Sequence, residues 1–398
     1  MMGFSTALIL VVATVNLAIN KLSNNFEKYL ETPKKSKYKP YIRSIYNWNL
    51  QFNAILLTTY HRFINPRPDG LLGEYGGEVD HLIVYPIKSA TTGFKMTQWE
   101  MTQYGLKYDR IYMFAVYSEK NQRYEGFNMS KAAKLITLKI KSFNGTHFEF
   151  EYISKETGSA KTFQLPCEID FDFIAKHSSF GSVSKPINLW SSNFEGYILD
   201  NFLSDDFKSV FELPEDTVLI VSADGKPCSL GVPKKLTGRR TMFQDYYPLL
   251  TVSQESYNAV HKDVGTEGNY VRMESFRPNL VLKNVARPFD EEFYLKFDIV
   301  GTNTKKTGSY RYHFSTSMKC ARCTIPNINP KTGVPDDKST VSKKMAKYRR
   351  TDDGSPYSSI FGVYTVNHDV GITIKQGDKV DILCRASKHL LPKDNPFR

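Results

Sequence analysis

The sequence predicts an α+β, β-rich fold: an antiparallel, barrel-like unit followed by a second β-rich unit with peripheral helices. Three observations carry this reading. Short runs of β-branched and aromatic residues recur from residue 78 onwards, separated by Gly, Asn and Lys-rich turns. Few stretches of helical periodicity interrupt them. The composition, with 41% hydrophobic and 13% aromatic residues in a chain of 398, supplies apolar surface for more than one core and argues against disorder.

The chain opens with an apolar run at 4–19, FSTALILVVATVNLAI, which is marginally long enough to cross a bilayer as a helix. No Lys or Arg precedes it, while Lys21, Lys28, Lys34, Lys35, Lys37 and Lys39 follow. That bias sets everything after the run on the cytosolic side. Residues 1–22 are therefore expected to form a membrane anchor. Residues 23–77, basic and tyrosine-rich with Pro33, Pro40, Pro66 and Pro68, are expected to form a tether and collar, within which QFNAILLTTYH at 51–61 suggests a short helix.

From residue 78 to 205 the runs HLIVYPI, RIYMFAVYS, KLITLKIKSF, HFEFEYIS and TFQLP predict strands, and 193–203 predicts a linking helix with Ser191 and Ser192 as N-capping hydroxyls. TVLIVSA reads as another strand. Residues 206–388 then give strand LLTVS, helix QESYNAVHKDV, and strands within FRPNLVL, FYLKFDIVG, SYRYHFS and DKVDIL; 389–398 is a polar tail. No repeat of solenoid length and no phosphate-cradling glycine motif is present.

Charge and cysteine usage narrow the function. Against 41 Asp and Glu stand 53 Lys and Arg, a net +12 that favours an anionic partner. Nucleic acid is disfavoured, because the basic residues are dispersed and no recognition module appears. Five cysteines, odd in number, do not form a disulfide framework. Cys167, Cys228 and Cys384 stand alone, whereas Cys320 and Cys323 form a C-x-x-C pair around Arg322, whose charge favours a thiolate. A zinc site would need a second ligand pair and a thioredoxin-like site a βαβ unit. Two unrelated structural thiols remain the plain alternative.

Seven motifs place that pair in a wider pattern: Tyr85-Pro86-Ile87-Lys88-Ser89, Gly105-Leu106-Lys107-Tyr108-Asp109-Arg110, Ser275-Phe276-Arg277-Pro278-Asn279, Met318 to Cys323, Asn329-Pro330-Lys331-Thr332-Gly333, Phe361-Gly362-Val363-Tyr364 and Gly377-Asp378-Lys379-Val380. In order and approximate spacing they resemble the MOSC-domain family, most nearly its branch of mitochondrial amidoxime-reducing components, over about residues 80 to 385. The resemblance implies an N-terminal MOSC β-barrel subdomain, a MOSC β-barrel domain, and a molybdenum-molybdopterin cofactor (Moco) between them. It implies that Lys88, Ser89 and Arg110 hold the cofactor's terminal phosphate, a role suited to charge-assisted donors. Arg277 and Asn279 would contact the pterin, Arg322 would flank the metal, and Cys323 would be the thiolate ligand and catalytic residue. Cys320 would be a neighbour of the site.

The implied activity is reduction of small N-hydroxylated substrates, with electrons from cytochrome b5 and NADH-cytochrome b5 reductase, at the mitochondrial outer membrane with the body facing the cytosol. Lys338, Lys343, Lys344, Lys347, Arg349 and Arg350 form a basic run suited to docking acidic cytochrome b5. Three departures stand beside the resemblance. Asp245-Tyr246-Tyr247-Pro248 replaces a T-S-P site, Asn128-Met129-Ser130-Lys131 replaces a T-A-R turn, and Asn329-Pro330 replaces Asp-Pro. Either the pocket is remodelled around the same cofactor, or the fold persists as a membrane-associated binding module without it. A sulfur-carrier type of MOSC protein is a third reading.

Overall fold

The computed structural model describes residues 14, 25–27, 29–30, 36–126, 132–189, 192–224, 226–227, 240–303 and 308–386. The expected anchor, apart from Thr14, the turn at 128–131 and the tail at 389–398 lie outside the described residues. Among the described residues, no helix is long and apolar enough to cross a membrane.

The fold is α+β and β-rich, built on two barrels. In the larger, strands Leu280–Lys283, Leu249–Ser253, Ile360–Asn367, Gly308–Ala321, Tyr294–Asn303, Lys379–Arg385 and Glu74–Val84 lie side by side, and Glu74–Val84 pairs back onto Leu280–Lys283. The smaller is closed by Lys185–Leu189, Ser192–Leu199, Val218–Ser222, Tyr112–Ser118 and Arg123–Gly126. A three-stranded sheet, Lys139–Phe143, His147–Ile153 and Ala160–Pro166, adds fully buried Phe148 and Phe150 to the core. Strand Glu74–Val84, early in the chain, thus belongs to the sheet formed mostly by residues 249–385.

One expected element takes a different form. Residues 193–203 do not form a helix; Ser192–Leu199 is a strand paired with Lys185–Leu189 and Val218–Ser222. Phe194 and Ile198 are buried and Asn193 and Glu195 exposed, a period of two. Gly196 disfavours a helix, and here a Cβ would stand 2.9 Å from the Ile220 side chain. The collar helix is longer than its apolar run suggested, Lys39–Phe63, because Pro40 sits in the first turn, where its missing N–H leaves no bond unmade. It is held to the body by Lys39 and Arg43, which pair with Asp353. Helix Gln254–Val264 forms as expected, with Ser253 Oγ accepting from Ser256 N at 3.2 Å.

Asp381 joins three parts of the large barrel. Its carboxylate accepts from the backbone N–H groups of Leu72 and Gly73, both at 2.7 Å, and from Arg311, which also donates to Asp298 at 2.7 Å. Both carboxylates are buried. Arg311→Met would leave them uncompensated and is expected to destabilise the protein by about 3 kcal/mol. Burial already raises the Asp298 pKa, and loss of Arg311 raises it further. A raised carboxylate pKa gives stability that is lost as pH rises, so the deficit relative to wild type should be larger at pH 8 than at pH 5. Urea unfolding at the two pH values measures this.

Candidate functional site

The two barrels meet where the chain leaves Glu74–Val84. Lys88 N donates to Tyr112 O at 2.7 Å, Tyr112 N to Pro86 O at 3.0 Å, and Arg110 N to Tyr85 O at 2.7 Å. Tyr85 to Ser89 are thereby tied to the first strand of the small barrel. Three residues at this junction, Ser89, Arg110 and Arg277, have φ of 59°, 52° and 56°. Non-glycine residues persist in this left-handed region only where surrounding structure fixes them, a condition that clusters at functional sites.

A cavity of about 360 Å³ opens at this junction. All seven residues singled out in the sequence line it: Lys88, Ser89, Arg110, Arg277, Asn279, Arg322 and Cys323. Each is positioned by the fold. Asn279 accepts from Leu250 N at 3.2 Å and Arg110 Nη1 at 3.0 Å, and donates to Ile83 O at 3.2 Å. Arg277 donates to Thr91 O at 3.0 Å and Ala90 O at 3.2 Å. Its guanidinium lies 4.3 Å from the Tyr85 ring centre, and that of Arg110 lies 4.6 Å away. Arg322 reaches back from the cysteine segment to Phe276 O at 2.9 Å.

The electrostatics are lopsided. Lys88, Arg110, Arg277 and Arg322 bring four positive charges to one cavity, while Asp245 is the acidic residue in its lining. Asp245 pairs with Lys88, and Asp109, just behind, pairs with Arg110. Burial pulls the Lys88 pKa down, against the opposing pull of Asp245. Burial, then the nearby Arg110 charge, lowers Arg277 to about 10. Two buried polar atoms in the lining, Arg322 Nε and Gln244 Oε1, have no hydrogen-bond partner. A wall that combines excess buried cations, an unsatisfied guanidinium N–H and a thiol suits an anion that also bonds sulfur.

The two cysteines occupy different environments. Cys323 is exposed, whereas Cys320 is buried and accepts from Arg322 Nη1 at 3.0 Å. Burial pushes the Cys320 thiol up, opposed by Arg322. Among the described residues no three His, Cys, Asp or Glu side chains converge to hold a metal ion. A metal held by one thiolate here needs other ligands from an organic group, and the donors present fit a phosphate-bearing pterin dithiolene.

The departures separate in space. Tyr246 and Tyr247 both line the cavity, and their rings lie 5.7 and 5.9 Å from that of Tyr364. Asn329 closes a turn, accepting from Gly333 N at 2.8 Å, and is not in the lining. Gly377-Asp378-Lys379-Val380 is also away from it: Gly377 N donates to Val79 O at 2.8 Å, and Asp378 accepts from Tyr310. Gln244 was not singled out in the sequence. It donates to Asp109 O at 3.2 Å and Asp109 Oδ2 at 3.1 Å, and only its position beside the Asp245 site marks it.

Among known proteins, residues 238–381 match the family model of the MOSC domain. The chain is similar to human mitochondrial amidoxime reducing component 2, 28% identical over 142 residues, which is 35% of this chain and 38% of that protein. It is also similar to the molybdenum cofactor sulfurases of Solanum lycopersicum, 23% identical over 283 residues, 68% of this chain and 31% of that protein, and of rice, 22% identical over 280 residues, 68% and 30%. The matched part thus spans 30% to 38% of the length of these relatives.

The contrast between the thiols is testable. Brief alkylation of the native protein with iodoacetamide, followed by peptide mass spectrometry, should label Cys323 at least about tenfold faster than Cys320, because the thiolate is the reacting form and access limits the rate. Equal rates would contradict the buried position of Cys320.

Proposed function

We propose that the chain is a molybdenum-cofactor-dependent oxidoreductase that reduces small N-hydroxylated compounds. The observation that carries this reading is the convergence of Lys88, Ser89, Arg110, Arg277, Asn279, Arg322 and Cys323 on one cation-rich cavity. Lys88 and Ser89 would hold the terminal phosphate as ammonium and hydroxyl donors, Arg110 adding charge. Arg277 and Asn279 would face the pterin, and Cys323, having lost its thiol proton, would ligate the metal with Arg322 stabilising the thiolate. When bound, the group would supply two-electron redox chemistry. Tyr246 and Tyr364 line the same cavity beside these groups.

Electrons would come from cytochrome b5 and NADH-cytochrome b5 reductase. Lys338, Lys343, Lys347 and Arg350 are exposed and available to an acidic partner. Arg349 is not: it is buried, pairs with Glu292 and stacks 3.6 Å from the Phe289 ring centre. Attachment to the mitochondrial outer membrane through residues 1–22, with the body in the cytosol, belongs to the same proposal. Tyr41, Ile45, Trp48, Phe52 and Ile55 support it, forming an exposed stripe on helix Lys39–Phe63 at spacings of three and four, as an interfacial helix presents.

A second reading has its own support. The sulfurase matches extend over 68% of this chain, against 35% for the amidoxime-reducing relative, so the chain could hold the cofactor as the receiving half of a cofactor-modifying system. Expression in a host that makes molybdopterin, with metal analysis by mass spectrometry, tests what both share. Near-stoichiometric molybdenum in wild type, falling at least about tenfold in Cys323→Ala as a lost thiolate ligand dictates, is expected; metal in neither protein overturns both readings. NADH oxidation with benzamidoxime, cytochrome b5 and its reductase then separates them, since the oxidoreductase reading requires turnover by the loaded protein.

A further inference from the structure

A second cavity, of about 450 Å³, lies behind the strand that carries Cys320. Successive residues of a strand face opposite sides. Met318 and Cys320 face the cavity described above, and Lys319 faces this one. Its lining is aromatic and charged, with Phe289, Phe293 and Tyr348 beside the cations Arg43, Arg287, Lys319 and Arg349 and the carboxylates Glu27 and Glu292.

Four cations of this lining face two carboxylates, and carboxylates outside it hold two of the four. Arg287 pairs with Glu27 and Asp290, and Arg43 with Asp353. Glu292, itself buried, is shared between Arg349 and Lys319. It accepts a hydrogen bond from Arg349, whereas the Lys319 ammonium stands 3.7 Å away. The Lys319 side chain is 7% exposed, and its other neighbour is the Phe293 ring, 5.0 Å from the nitrogen. Arg43 Nε is buried and has no hydrogen-bond partner. Lys319 is therefore a buried cation with half a counter-ion, facing empty space between aromatic walls. Such a group is stabilised by an anion that enters that space.

We propose that this cavity is a second binding site, for a small aromatic anion carrying a carboxylate or a phosphate. The anionic group pairs with Lys319, Arg287 and Arg43, and the ring packs against Phe289, Phe293 and Tyr348. Arg43 belongs to helix Lys39–Phe63, so the ligand bridges the collar to the strand that bears Cys320.

Calorimetric titration of the full chain with benzoate, phenyl phosphate and inorganic phosphate tests this. Wild type should bind phenyl phosphate or benzoate with a Kd below about 1 mM, and inorganic phosphate at least about tenfold more weakly, because it lacks the ring. Lys319→Met keeps the Glu292–Arg349 pair and should fold; its affinity for the aromatic anion should fall at least about tenfold, with Lys319→Arg restoring most of it. Arg287→Gln, at a half-exposed position that does not threaten folding, should weaken binding about threefold. Lys88→Met, which removes a phosphate donor from the first cavity, should leave benzoate binding unchanged. No binding of either aromatic probe, unchanged affinity in both Lys319→Met and Arg287→Gln, or loss in Lys88→Met instead, each overturns the proposal. The last outcome would place the anion in the first cavity.

Discussion

Four cations drawn to one junction between two barrels are the constraint around which the structure is organised. Lys88, Arg110, Arg277 and Arg322 come from distant parts of the sequence, and their mutual repulsion in a partly desolvated space would drive them apart without compensation. The protein offsets it in three ways. Asp109 and Asp245 neutralise one charge each. Carbonyls of Ala90, Thr91, Phe276 and Arg277 accept from guanidinium groups. The Tyr85 ring lies against both Arg110 and Arg277. The remaining positive charge is what an anionic cofactor would complete.

Holding this arrangement strains the backbone. Left-handed conformations at Ser89, Arg110 and Arg277 each cost on the order of 1 kcal/mol, and glycine would relieve that at once. Glycine would also remove the hydroxyl or guanidinium that defines the cavity. Asn279 offsets part of the cost, because its single side-chain amide satisfies Leu250 N, Ile83 O and Arg110 together. The two barrels are thus joined by the same polar groups that shape the cavity, and site and architecture depend on one another.

Much of this was legible in the sequence. Period-two runs gave the strands because each is half-buried against a barrel core, and the seven residues that the resemblance singled out line one cavity. What was not legible depends on contacts between distant residues. The strand Ser192–Leu199 carries polar residues that read as a helix cap, and its partners lie on both sides of it in sequence. Arg349 looked like one of a run of surface charges, yet the barrel turns it inward onto Glu292. Lys319 sits inside the most suggestive motif of the chain, and only strand alternation shows that it serves a different cavity from its neighbour Cys320. Tyr246 and Tyr247, which stand where the resemblance implied small residues, line the cavity together with the four cations.

The central claim is that Cys323 supplies a thiolate to a metal held at this junction. X-ray absorption at the molybdenum edge of the loaded protein tests it most directly. The account predicts one sulfur scatterer more in wild type than in a partly loaded Cys323→Ser protein, and an unchanged sulfur count in Cys320→Ser. Equal counts in wild type and Cys323→Ser, or loss of the scatterer in Cys320→Ser, would contradict it.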